Sequence, residues 1–166
     1  RMTAGLLNKA ARGDLALRLP AGFERDAQGR VQQDPHLEVQ SRLTFVFETF
    51  LHRRSASKVL EVLQAEGLRL PRRDRFGEVV WKRPTIAAIL AILQHPAYAG
   101  AFTYGRTRTL RHSAAPGRPA TKRLSMEQWR IRVNDTYPAY ISWTTFEQMQ
   151  TMLHDNHAEY DRNKTR

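Results

Sequence analysis

At 166 residues the chain is long enough to bury a real core as one domain, and its 27 Lys/Arg against 16 Asp/Glu give a net charge of +11. It has no cysteine, which excludes disulfides and thiolate metal sites and fits a reducing compartment. The longest wholly apolar run, Ile86 to Leu93, is far short of the roughly 20 residues a membrane helix needs, and no signal-peptide apolar region follows Arg1. The charge is unevenly spread: residues 69 to 132 hold 14 Lys/Arg and 3 Asp/Glu, which is the entire surplus. A surplus confined to one segment points to a polyanion. Nucleic acid fits better than an acidic membrane surface, because the basic residues lie mostly in loops instead of along an amphipathic helix.

In chain order, residues 2 to 12 predict a short helix with Leu6, Leu7 and Ala10 on one side and Gly13 as its cap. Leu19 to Phe23 is extended, and Asp26-Ala27-Gln28-Gly29 is turn chemistry between two short strands. Asp34 is expected to cap the clearest helix, whose stripe is Val39, Leu43, Val46, Phe47, Phe50 and Leu51. At roughly 1.5–3 kcal/mol per large buried side chain, that stripe is a major share of the hydrophobic drive. Ser55 or Ser57 caps the next helix, Val59, Leu60 and Leu63 face inward, and Gly67 ends it.

The connection from Leu68 to Lys82 carries Arg69, Arg72, Arg73, Arg75 and Lys82, with a possible strand at Glu78 to Trp81. Two helices joined in this way form at best an expanded relative of the helix-turn-helix, whose usual turn is about 3–4 residues. Pro84 stands where the following helix would begin, and His95-Pro96 stops it. Ile86, Ile89, Leu90 and Leu93 are expected inward, with Ala87, Ala88, Ala91 and His95 on the opposite face. Whether this helix is buried or enters a groove stays open.

Ala101 to Tyr104 reads as a short strand, and residues 107 to 125 as a long basic loop without periodicity. Trp129 to Val133 alternates like a strand. Ser142 or Thr144 starts a final helix with Phe146, Met149 and Leu153, and the polar tail from Asn156 is expected to fray.

No nucleophile, base and orienting acid are grouped among the six serines and six histidines. Ser55, Ser57 and Ser142 read as helix caps. His154, His157 and Glu159 read as a solvated helix end, not a metal site. Tyr98 and Tyr104, with Trp81 and Phe102 nearby, read as core and not as base-stacking residues. Neither a catalytic residue nor a metal or cofactor is expected. The fold class is α+β and mainly helical, with a small antiparallel sheet, an expanded helix-turn-helix-like core and a long basic loop.

Several blocks then carry a family resemblance. Gly13-Asp14-Leu15, Leu19-Pro20-Ala21-Gly22-Phe23, Asp34-Pro35 and Val46-Phe47-Glu48 are followed by the stretch from Ser57 to Gly67 and by Trp81, Pro84 and Thr85. Next come Leu93-Gln94-His95-Pro96-Ala97-Tyr98-Ala99-Gly100, Ala101 to Arg106, and Pro138 to Glu147. Together they resemble the recombinase domain of the large serine recombinases, with the HPAYAG block after the W–PT block as the most specific part.

The resemblance implies a DNA-binding middle domain between a catalytic domain, whose serine attacks DNA, and a cysteine-rich zinc ribbon. On that reading residues 1–18 end a linker helix, 19–153 form the domain and 154–166 are a tail. The fragment itself is then no enzyme. Its partner is double-stranded DNA, its parent a cytoplasmic, nucleoid-associated homo-oligomer, dimeric on a site and tetrameric in synapsis.

An alanine-faced helix departs from the family's basic outer faces, since alanine can only touch a thymine methyl. Base readout is therefore expected at Lys82, Arg83 and Thr85. Arg106, Arg108, Arg111, Arg118, Lys122 and Arg123 are expected on phosphates, and Arg72, Arg73 and Arg75 complete the DNA-facing set. The alternatives are a free-standing helix-turn-helix-like transcription regulator and an RNA-binding module, which would want exposed aromatics on a sheet.

Overall fold

The computed structural model describes residues 4–110 and 120–164. The chain forms two compact units, one from residues 18–100 and 137–166, the other from 1–17 and 101–136. The fold is α+β with helix predominating, as expected, and among the described residues the small antiparallel sheet anticipated is four separate two-stranded pairs.

In the larger unit, β1 (Phe23–Arg25) and β2 (Val31–Gln33) flank the turn that the Asp-Ala-Gln-Gly sequence predicts. The Asp26 carboxylate accepts the N–H groups of Gln28 and Arg30, each at 2.9 Å. The Arg30 N–H, above all, holds this carboxyl below the usual aspartate range. Helix α2 (Leu37–Arg53) then buries Val39, Leu43, Val46, Phe47 and Phe50 along one stripe, with Leu51 half-buried.

Asp34 does not take the N-cap role expected of it. The N-cap is His36, with no side-chain cap bond. Asp34 is buried two residues earlier, where its Oδ1 accepts the His36 N–H at 2.9 Å and faces the His36 ring nitrogen at 2.8 Å. A carboxylate before Pro35 closes a local turn here and so cannot also reach the N–H groups further along.

Helix α3 (Ala56–Ala65) starts after Ser55, whose side chain makes no capping bond. The connection that follows is a β-hairpin, β3 (Leu70–Arg73) paired with β4 (Val79–Lys82) in the register Leu70↔Lys82, Arg72↔Val80. The sequence pointed only to the second strand, because Pro71 counts against a strand except at an edge, which is where it lies. Helix α4 (Ile86–Leu93) is capped by Thr85, whose Oγ1 accepts the Ala88 N–H at 3.1 Å. Pro84 therefore precedes the cap and is not the first helical residue.

The inner face of α4 is also rotated from the expected one. Ala88, Ile89, Ile92 and Leu93 are buried, Ile86 and Leu90 are half-buried, and Ala87 and Ala91 are exposed. The 3-10 turn Pro96–Ala99 follows, and α5 (Trp143–Lys164) packs on α4, with Met149 in the same core cluster and Gln150 donating to Leu93 O at 2.9 Å. That helix continues to Lys164, within the segment expected to fray. Asn156 from within it donates to the Arg54 carbonyl at 2.7 Å.

The core of this unit closes around Tyr98, 2 % exposed, whose ring lies 5.6 Å from Phe23, 5.4 Å from Phe47 and 5.7 Å from Tyr140. Two hydroxyls fasten the extended segment before β1: Tyr98 donates to Ala21 and Tyr140 to Gly22, both at 2.6 Å. Gly22 has φ of +101°, and a Cβ there would come within 2.3 Å of Leu43 Cδ1. Only glycine suits that position.

In the smaller unit, α1 (Ala4–Ala11) lies beside β8 (Ile131–Val133), which pairs with β5 (Phe102–Tyr104). Ala10, Ala101 and Phe102 are buried, whereas Leu6 is exposed. The region expected to be one long loop begins and ends as a ribbon of β6 (Thr107–Thr109) and β7 (Thr121–Arg123). Thr at three of its six positions suits a strand, although a polar run of this kind has no apolar alternation to announce it.

Candidate nucleic-acid interface

The basic residues collect on three features: the β3–β4 hairpin, the approach to α4, and the β6–β7 ribbon. In the hairpin, neighbouring residues point to opposite faces. Arg72 is exposed, whereas Arg73 turns inward and donates to Gly77 O at 2.6 Å and to Phe23 O. Arg73, expected to face DNA, is thus largely a tie between the hairpin and β1.

The hairpin tip is firmly built. Asp74 Oδ1 accepts the N–H groups of Phe76 and Glu78 at 2.8 and 2.9 Å, and Asp74 O receives a guanidinium N–H of Arg18. At the apex the Arg75 guanidinium stacks 4.7 Å over the exposed Phe76 ring.

At the approach to α4, Lys82 and Arg83 are exposed and Thr85 is the cap. The hydroxyl oxygen of Thr85 accepts the Ala88 N–H. Trp81, half-buried, lies under the Arg42 guanidinium at 5.2 Å, and Arg42 also donates to Arg69 O and pairs with Glu38 at 3.8 Å. The indole packs as expected but is not sealed in the core.

On the ribbon, Arg108 stands directly across from Lys122, and Thr107 across from Arg123, with Arg108, Lys122 and Arg123 all exposed. Arg106 is half-buried, and its guanidinium is depressed from the usual arginine range, first by burial and then by the charge of Arg123. Arg111 and Arg118 lie outside the described residues. Among the described residues, none of the exposed cations Arg72, Lys82, Arg83, Arg108 and Lys122 has a carboxylate within 4.0 Å, since the ion pairs lie elsewhere.

Arg18 belongs with this group although nothing in the sequence sets it apart from other surface arginines. Its place beside the hairpin is a tertiary contact across 56 residues. At the other end of the chain, His157 pairs with Asp161 at 3.0 Å and His154 with Asp155 at 3.6 Å. No group of three His, Cys, Asp or Glu able to hold a metal occurs among the described residues. No described helix is long and apolar enough to cross a membrane.

Residues 37–156 match the Recombinase family. An uncharacterized protein, y4bA/y4pH of Sinorhizobium fredii (strain NGR234), is 37% identical over 160 residues, covering 94% of this chain and 23% of its own length. Among solved structures, the fold is similar to that of an LSR–DNA complex, with a TM-score of 0.58 at 13% identity over 91% of this chain and 36% of that one. It is likewise similar to a structure concerned with the sequence requirements of the Listeria innocua prophage attP site, with a TM-score of 0.56 at 14% identity over 89% of this chain and 49% of the other. The chain thus spans about a quarter of the curated relative and at most half of these solved chains. By the residues it shares, the chain belongs to the Recombinase family.

Proposed function

We propose that this domain holds a large serine site-specific recombinase on its attachment-site DNA, by phosphate and major-groove contacts, for strand exchange carried out by another part of the protein. The observation that carries the reading is the cross-strand placement of Arg108 opposite Lys122 on an exposed two-stranded ribbon. Like charges directly opposite one another destabilise a strand pair. A duplex supplies the anions that reverse this cost, and its major groove admits a two-stranded ribbon. The same logic extends to Arg72 and Arg75 on the hairpin and to Lys82 and Arg83 before α4. Solved neighbours of the same fold include a protein–DNA complex.

In this reading residues 1–18 continue a linker from a catalytic domain that bears the nucleophilic serine, residues 19–153 grip DNA, and residues 154–166 lead toward a zinc ribbon. The parent protein binds a site as a dimer, synapses as a tetramer and works in the cytoplasm on the nucleoid. This chain by itself cuts nothing: its sequence sets no nucleophile, base and orienting acid at a recognisable spacing. The decisive experiment titrates the purified chain with a random duplex, a duplex selected from a randomised pool, and single-stranded RNA. Tighter binding to the selected duplex supports the proposal. Equal or tighter binding to RNA, no duplex binding at low salt, or nicking of supercoiled DNA would overturn it.

A further inference from the structure

Between the segment entering β1, the hairpin and α4 lies an open cleft of about 330 Å³. Its floor is apolar, with Pro20, Pro71 and Ala88 among the lining groups, and its rim is cationic, with Arg18, Arg72 and Arg73. No carboxylate is among its lining residues. Asp74, whose carbonyl holds Arg18, directs its own carboxylate into the hairpin turn.

Two of the three guanidinium groups are therefore fixed by backbone carbonyls, while Arg72 is exposed. The carbonyl end of α4 beside the cleft contributes only about half a negative charge, against three positive ones. His95 also lines the cleft, and its Nδ1 accepts the Ala97 N–H at 3.2 Å. At the small end of ligand pockets, about 300–1,000 Å³, the cleft suits one sugar and its phosphate better than a cofactor.

We infer that this cleft seats a single deoxyribose phosphate of the bound duplex, with the phosphate against Arg18 and Arg72 and the sugar over Ala91. The inference rests on the DNA-binding reading above and adds Arg18 and Ala91 to the surface. Prepositioned cations gain affinity because little side-chain freedom remains to be lost. A backbone contact of this kind sets register on the duplex without reading sequence.

Ala91 makes the test clean, since it is exposed on α4, lines the cleft and tolerates good helix formers. Ala87 is one turn earlier, equally exposed and outside the cleft lining, so it serves as the control. Against a random-sequence duplex, Ala91→Glu should weaken binding roughly tenfold or more, because a carboxylate is set against a phosphate. Ala91→Lys should tighten binding, and Ala87→Glu should weaken it much less than Ala91→Glu. Arg72→Gln should lower the magnitude of the slope of log K against log salt by about 0.9, the value of one neutralised phosphate.

Equal losses in Ala87→Glu and Ala91→Glu, or no loss in either, overturn the cleft assignment while leaving DNA binding intact. Should Ala91→Glu fail to fold, Arg72→Gln decides, and an unchanged salt slope overturns the assignment. If the wild-type chain binds no duplex at low salt, both the cleft and the DNA-binding reading fail.

Discussion

The hydroxyl of Tyr98 donates a 2.6 Å hydrogen bond to the carbonyl of Ala21, 77 residues earlier in the chain. This bond joins the 3-10 turn after α4 to the extended segment before β1, with the tyrosine ring buried between Phe23 and Phe47. Tyr98→Phe keeps the ring and orphans the carbonyl, so it should cost about 1–3 kcal/mol. Tyr98→Ala removes the ring as well and should cost roughly 3–5 kcal/mol. Thermal melts of the two variants check the order. A Phe variant as damaged as the Ala variant would show that the hydroxyl, not the packing, dominates.

The same residue predicts an alkaline limit. Burial holds the Tyr98 hydroxyl above the usual tyrosine range, with Tyr140 adding to the shift and Arg72 and Arg73 opposing it. Tyr140 and Tyr137 are raised too, chiefly by burial. A group whose pKa is higher folded than unfolded contributes stability that is complete below the unfolded value, about 10, and declines above it. Melting temperature should therefore fall with rising pH above about 10. Tyr98→Phe should fall less steeply over that interval, and parallel curves would remove Tyr98 from this account.

Trp81 is half-buried beneath Arg42, in contrast to Tyr98. Trp81→Ala should consequently cost less than the roughly 3–5 kcal/mol of a fully buried aromatic. The loss should be shared with Arg42, so a double-mutant cycle of Trp81→Ala with Arg42→Ala should show coupling of about 0.5–1 kcal/mol. Strict additivity would deny the stacked pair any energetic role.

The ribbon and the approach to α4 should separate in salt and in sequence dependence. Replacing Arg108, Arg111, Arg118, Lys122 and Arg123 by Gln should flatten the salt slope by about 0.9 for each phosphate that is no longer neutralised. Because Arg108, Lys122 and Arg123 are exposed, the melting temperature should hardly move. All duplexes should weaken about equally. An unchanged slope would leave the ribbon as a spacer.

Lys82→Ala and Arg83→Ala should instead narrow the gap between selected and random duplex, since a good bidentate base contact discriminates by about 1–3 kcal/mol. Parallel titrations of selected and random duplexes at one salt concentration measure the gap. If both duplexes weaken alike, these residues bind phosphate and read no base.

The sequence by itself determined the elements whose physics is local. The stripe from Val39 to Phe50 recurs at the helical period, so α2 was readable before any packing was known. The Asp26 turn was readable because a short carboxylate next to glycine closes its own hydrogen bonds. The concentration of charge between residues 69 and 132 was likewise plain.

Tertiary structure decided the rest. Helix α4 is apolar nearly all round, so its composition could not say which side faces inward, and packing chose Ala88 and Ile92 over Ile86 and Leu90. Arg72 and Arg73 are chemically identical neighbours. A strand sends adjacent side chains to opposite faces, and only the carbonyls of Phe23 and Gly77 determine that Arg73 is the one drawn in. Arg18 comes beside Asp74 because the chain folds back over 56 residues, a closure that no local pattern encodes.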